Sequence, residues 1–356
     1  MIKAESYTED WIKETAGKYK SDPILVEKVI YALTLLESIT TSELQFIFKG
    51  GTALMLLLKE PKRFSIDIDI IITKKTDNLQ SIFDKIIEDS VFTKVEKDER
   101  KSKSTIDKEH YKFYYKTKTK SLGPEQYILL DILYEDSHYG ENIIELEITS
   151  PFTSSEKENP KVTVPKPESI LGDKMTAFAP KTTGIPYKIE KEVEIIKQLF
   201  DVGNLFDIVE NIEIVGSVFK LFAKTELEYR GKKDLEPKDV LEDIFQTAMT
   251  ISTRGKSGDG DFDELQKGIK NIKNYIFSEN FHIEAAMIPT AKAAYLSALL
   301  KTETKDFDRF TNPEEIAEWL IEQPFETRLN KLKKSNPEAF YYWYKTYELL
   351  NKKARS

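Results

Sequence analysis

Two aspartates, Asp67 and Asp69, stand two apart in the run SIDIDIII (65–72) of a 356-residue chain. On an extended strand such residues share a face, so both carboxylates project together while Ile66, Ile68 and Ile70 pack behind them. Two anions held so close are costly unless protons or a cation offset them, and in oxygen-only company the fitting cation is Mg2+. Upstream, Gly50, Gly51 and Thr52 lead into ALMLLLKE. Glycines let backbone approach a phosphate closely, and a helix beginning there aims unpaired N–H groups and a positive dipole at it. A triphosphate cradled at that turn, with metals on Asp67 and Asp69, is an arrangement for phosphoryl or nucleotidyl transfer. Such chemistry calls for a third acid near the attacking hydroxyl. Asp131, within YILLDILY (127–134), is the candidate, because an unpaired charge among apolar neighbours would be expensive. A strand-end aspartate paired with a lysine is the competing reading.

The elements that must position these residues follow from periodicity. ILVEKVIYALTLLESI (24–39) carries apolar residues at helical spacing, LQFIF (44–48) is a short strand ending at the glycines, and Thr52 is placed to cap a helix that Pro61 ends. SIDIDIII is a strand, a helix is expected near 79–89, and strands at 91–95, 110–120, 125–134 and 142–148. This order predicts an α+β fold, with a sheet domain over 1–155. The polar, proline-containing segment 154–169 reads as a linker able to include a short strand. From 156 to 356 the patterns are mostly helical, including SILGDKMTAFA, PEEIAEWLIE and a C-terminal helix from residue 337, which predicts a helical second domain.

Composition narrows the class. Net charge is −8, but residues 94–120 carry ten Lys or Arg against five acids and 328–356 carry eight against two, so basic charge is concentrated. Zero cysteines exclude disulfides, thiolate zinc sites and a cysteine nucleophile, and fit a reducing compartment. MIKAESYTEDWIKE has no secretory pattern and no apolar run reaches the roughly 18–20 residues of a membrane span. A cytoplasmic protein is expected, without membrane partners. In HYKFYYKTKTK (110–120), Lys112, Lys116, Lys118 and Lys120 alternate with Tyr111, Phe113 and Tyr115, so the lysines could track a polynucleotide while the rings pack inward; a solvated hairpin is the alternative. RLNKLKK (328–334) could contribute likewise, whereas FYYWYKTY (340–347) reads as helix-packing core.

Other matches fail. RGKSG (254–258) lacks the upstream glycine of a P-loop, and DGDFDELQKGIK (259–270) has Glu264 and Lys270 where an EF-hand needs glycine and glutamate, leaving an acidic loop. His110, His138 and His282 form no HExxH or triad spacing.

Four motifs together resemble the AbiEii/AbiGii toxin family of nucleotidyltransferases, MenT-like toxins included, within the DNA polymerase β-like superfamily. They are KGGTAL (49–54), RFSIDID (63–69), LGDKMTA (171–177) and KQLFD (197–201). The resemblance spans about residues 25–210 and implies a polymerase β-like mixed sheet with flanking helices. It assigns Gly50, Gly51 and Thr52 to nucleotide binding, Asp67 and Asp69 to metal binding, and Asp131 to the superfamily's third acid. Lys174 matches a lysine that meets the triphosphate, with Lys181 a second phosphate contact in AFAPKTTGIPY (177–187). Asp201 matches the aspartate of the terminal motif, where Gln198 stands in place of the usual first acid. Ser65 shares the face of Asp67; its plain role is a hydrogen bond, while a phosphate there would add negative charge beside the metal acids.

The implied protein is a Mg2+- or Mn2+-dependent toxin of a toxin–antitoxin or abortive phage-infection system, transferring NMP from NTP to RNA, with the tRNA 3′ end the expected acceptor and an antitoxin as partner. Transfer to a protein or small-molecule hydroxyl, and a nucleotide-binding regulatory module without turnover, are the alternatives.

Overall fold

Thr8 and Asp22 cap the first two helices of the computed structural model, α1 (Glu9–Lys18) and α2 (Pro23–Thr40), each accepting a first-turn backbone N–H. Residues 1–58, 60–99, 107–119 and 123–355 are described, with side chains through residue 351. The chain divides into two units, residues 1–166 with 274–279, and residues 167–273 with 280–356.

In the first unit, β1 (Ile47–Lys49) runs into α3 (Gly50–Leu57), followed by β2 (Ile68–Ile72), α4 (Leu79–Asp89), β3 (Phe92–Lys97), β4 (Lys108–Lys116) and β5 (Glu125–Tyr134). The five strands form one mixed sheet in the order β1-β2-β5-β4-β3, with β2 and β5 parallel and every other pair antiparallel. Strand periodicity divides its residues. Ile68, Ile70, Tyr111, Phe113, Tyr115, Ile128, Leu130 and Ile132 are buried in a core shared with Val26, Ile30 and Leu33 of α2 and Phe83 of α4. Tyr31 of α2 stacks on Tyr115 with centroids 3.7 Å apart. Each such side chain stabilises the unit by about 1.5–3 kcal/mol. The opposite face of the same strands carries Asp69, His110, Lys112, Tyr114, Tyr127 and Asp131.

Strands β6 (Ile143–Glu147) and β7 (Lys161–Pro165) pair with each other, so the segment after 155, read from the sequence as linker and second domain, gives a strand to the first unit. Residues 274–279 also lie in this unit rather than with the helices that flank them in sequence. Phe64 N–H donates to the Tyr275 carbonyl at 2.8 Å, and Phe277 packs among Phe64, Phe152 and Tyr19. This clamp fixes the backbone just ahead of Ser65.

The second unit is helical, as expected: α5 (Pro167–Ala177), α6 (Glu192–Phe206), α7 (Ile212–Tyr229), α8 (Pro237–Ser252), α9 (Phe262–Asn271), α10 (Ile283–Thr302), α11 (Leu332–Ser335) and α12 (Pro337–Arg355). Phe340, Tyr341, Tyr342 and Trp343 of α12 are buried, so the FYYWYKTY run packs inward. PEEIAEWLIE is not a helix: only Pro313–Ile316 form a 3-10 turn. Trp319 instead stacks on Tyr344, 4.4 Å between centroids, and Asn330 takes both backbone groups of Ile321. Among the described residues no helix is long and apolar enough to cross a membrane.

Candidate active site

Lys49, Asp69, Asp131 and His110 form one row across four strands. Lys49 of β1 is registered with Asp69 of β2, Asp69 with Asp131 of β5, and Asp131 with His110 of β4. Cross-strand partners in register share a face, so two carboxylates sit side by side between two basic side chains. Asp131 is a middle-strand residue with its side chain 29% exposed, and His110 Nδ1 lies 2.6 Å from its Oδ1. That contact engages one carboxylate oxygen. The competing expectation, an aspartate paired with lysine, is replaced by a histidine partner.

The Gly-Gly bend meets this row. Gly50 has φ +79°, and a Cβ built on it would lie 2.1 Å from Asp69 Oδ2, so only glycine lets α3 start against that carboxylate. A Cβ on Gly51 would lie 2.6 Å from Ser65 Oγ and 2.7 Å from Arg63 Nη2, which places hydroxyl and guanidinium at the first turn of α3. Arg63 is buried and donates from Nη1 to the Phe64 carbonyl at 2.9 Å. Thr52 is not the cap: Lys49 occupies that position without a side-chain bond. The Thr52 hydroxyl is fully buried and donates to the Asp67 carbonyl at 2.6 Å, tying α3 to the approach to β2. Asp67 precedes the first residue of β2 and is exposed.

The other expected residues lie in the second unit. Lys174 Nζ on α5 is 2.9 Å from Asp201 Oδ2 and 3.0 Å from Gln198 Oε1 on α6, with both charged side chains nearly buried. The LGDKMTA and KQLFD motifs are thus joined by one ion pair, and Gln198 serves as an acceptor for the same ammonium. Lys181 has other partners: its ammonium pairs with Asp259 at 2.5 Å, and its backbone N–H, with that of Thr182, donates to Asp243. Burial pushes the Asp243 carboxyl above the usual range, against bonds from Thr182, Lys181 and Thr247 that pull it down. The stretch 259–270, read from the sequence as an acidic loop, is loop only as far as Asp261: the rest is α9, which Asp261 caps by accepting from Glu264 N–H.

The lysine face of HYKFYYKTKTK is shorter than its alternation suggests. The strand ends at Lys116, and the backbone N–H groups of Lys118 and Thr119 turn inward to the buried Glu27 carboxylate. Lys120 lies outside the described residues.

The donors beside the bend suit a hard divalent cation: carboxylate oxygens, on a cradle that a Cβ would fill. Among the described residues no three His, Asp or Glu side chains converge closely enough to hold an ion alone. Mg2+ does not require that, since it binds through one or two carboxylates, with substrate phosphates and water completing its shell.

His110, Arg63 and Lys49 were not singled out from the sequence. Register alone assembles the row, and the signal for His110 was its strand position opposite Asp131, visible only once the pairing of β4 and β5 is known.

The family model described as nucleotidyl transferase AbiEii toxin, type IV TA system, matches residues 34–271. Similar solved structures include JHP933 from Helicobacter pylori, 15% identical, covering 78% of this chain and 93% of that one with a TM-score of 0.46. A putative nucleotidyltransferase from H. pylori is 17% identical, over 78% and 96%, with a TM-score of 0.44. The nucleotidyltransferase toxin MenT4 from Mycobacterium tuberculosis is 12% identical, over 83% and 90%, with a TM-score of 0.46. No curated protein matches the chain.

Proposed function

The chain belongs to the AbiEii nucleotidyltransferase toxin family of type IV toxin–antitoxin systems, and from that premise we propose that it transfers NMP from an NTP to the terminal hydroxyl of an RNA, the tRNA 3′ end being the favoured acceptor. The carrying observation is the Asp69–Asp131 pair in parallel register, with Asp69 against the Gly50 bend. Asp67, Asp69 and Asp131 are the residues to hold Mg2+, or Mn2+ in its place, with no more than two of them on any one ion, whose charge offsets that of the phosphate oxygens. Gly50, Gly51 and Thr52 present the first-turn N–H groups of α3 to the triphosphate, with Ser65 and Arg63 beside them. Lys174 is held by Asp201 and Lys181 by Asp259, both within the second unit.

Asp131, oriented by His110, receives the hydroxyl proton of the acceptor. The freed oxygen attacks the α-phosphorus, the bond from that phosphorus to the β-bridging oxygen breaks, and pyrophosphate leaves. The reaction takes place in the bacterial cytoplasm and is restrained by a cognate antitoxin. Purified protein incubated with each labelled NTP, with and without total tRNA, tests the reading. Label entering tRNA with matching pyrophosphate release supports it. Pyrophosphate release that needs no RNA points to a small-molecule or protein acceptor, and no release at all to a binding module.

A further inference from the structure

Behind the acid row, the same face of the sheet continues in two more rows. Leu129 of β5 is registered with Lys112 of β4 and Lys112 with Glu96 of β3; next, Tyr127 is registered with Tyr114, and Tyr114 with Lys94. Tyr127 is 42% exposed while its neighbour Ile128 is 1% exposed. Its ring centroid lies 5.7 Å from that of Tyr114, Lys112 Nζ is 5.2 Å from the Tyr127 ring, and Lys94 Nζ is 4.1 Å from the Tyr114 ring. Two tyrosine rings and two ammonium groups therefore form a strip leading straight to Asp131.

We propose that this strip, from Asp131 back to Tyr127, is the bed for the 3′ end of a single-stranded polynucleotide acceptor, with Tyr127 and Tyr114 stacking bases behind the reacting nucleotide. The inference rests on the transfer reaction proposed above and names its acceptor surface. Four strand residues at about 3.3–3.4 Å each set Tyr127 roughly 13 Å behind Asp131, which places the ring pair one or two extended nucleotides from the terminal hydroxyl. An acceptor of a few atoms needs an enclosing pocket. A face that carries rings and lysines for two rows beyond the acids suits a strand, since stacking accepts every base and lysines follow the phosphates. Lys112 pairs with Asp98 at 3.1 Å, and Lys94 with Glu96 at 3.0 Å and Glu125 at 3.7 Å. Partly exposed pairs of this kind are weak, so a phosphate can replace the carboxylate.

The test compares wild type, Tyr127→Ala and Tyr127→Phe in transfer to total tRNA, with circular dichroism to verify folding. Loss of one stacking ring raises the acceptor KM roughly tenfold or more in Tyr127→Ala, with the NTP KM unmoved and Tyr127→Phe near wild type. An unchanged acceptor KM in Tyr127→Ala overturns the bed. A Tyr127→Trp variant supplies a second readout: its emission is quenched by a short unpaired RNA and not by the same strand lacking bases near its 3′ end. Equal quenching by both strands, or by neither, also overturns it. Should the wild type move no nucleotide onto RNA, the proposed reaction falls, and the fluorescence result judges the surface by itself.

Discussion

Gly50→Ala is the sharpest perturbation of the site. Its new Cβ would stand 2.1 Å from Asp69 Oδ2 and 2.8 Å from Cγ, whereas non-bonded heavy atoms settle at about 3.5–4.0 Å, so the carboxylate must retreat by more than ~1 Å. A shift of that size in a reacting group costs about a hundredfold in rate. Alanine at φ +79° also carries about 1–2 kcal/mol of backbone strain. Gly140→Ala separates the two effects, because Gly140 has φ +56° with no heavy atom within 4 Å of the added Cβ. Thermal unfolding should show a loss in both variants, larger in Gly50→Ala. Labelled NMP transfer should collapse in Gly50→Ala alone. If the two variants transfer nucleotide within about threefold of each other, the claim that the bend and Asp69 share one site is refuted.

Asp201→Ala should destabilise by about 3–5 kcal/mol, since it leaves the Lys174 ammonium buried without its carboxylate; a urea unfolding loss below about 1 kcal/mol would contradict this. His110→Ala should lower kcat about 10–100-fold by releasing Asp131, with His110→Asn recovering part of it, and kinetics that do not distinguish the two would argue against an orienting role. Ser65→Asp should lose at least about tenfold more transfer activity than Ser65→Ala, because a carboxylate at the first turn of α3 repels both the metal acids and the triphosphate; equal activities would count against charge control at Ser65. For Asp243, raised by burial, the native state holds its proton more tightly than the unfolded chain, so it withdraws stability as pH rises from the ordinary aspartate range through the raised value. Asp243→Asn should therefore gain on wild type in urea stability as pH rises above the ordinary aspartate range, and a constant difference would contradict that sign.

What could be read from the chain depended on whether local pattern or long-range pairing decides the outcome. Alternation in SIDIDIII and YILLDILY places Asp69 and Asp131 opposite the buried isoleucines and leucines, and the Gly-Gly pair opens α3, as periodicity and glycine chemistry require. That His110 joins Asp131 follows from a register between strands that no spacing encodes. The short lysine face had a similar cause: the buried Glu27 on α2 draws in the backbone of Lys118 and Thr119, ending the alternation early. PEEIAEWLIE has helical composition, but stacking of Trp319 on Tyr344 and the two bonds from Asn330 outweigh that propensity. Residues 274–279 carry no local sign that they pack beside Phe64, because their partners lie some 210 residues away.

The central claim is that Asp69 and Asp131 act together in nucleotidyl transfer. Transfer of labelled NMP to tRNA by wild type, Asp69→Asn and Asp131→Asn, each with Mg2+ and with chelator, tests it most directly. The account predicts transfer by wild type with Mg2+ alone, and a fall of at least about a thousandfold in either folded variant. Transfer that survives in Asp69→Asn or in chelator would contradict it.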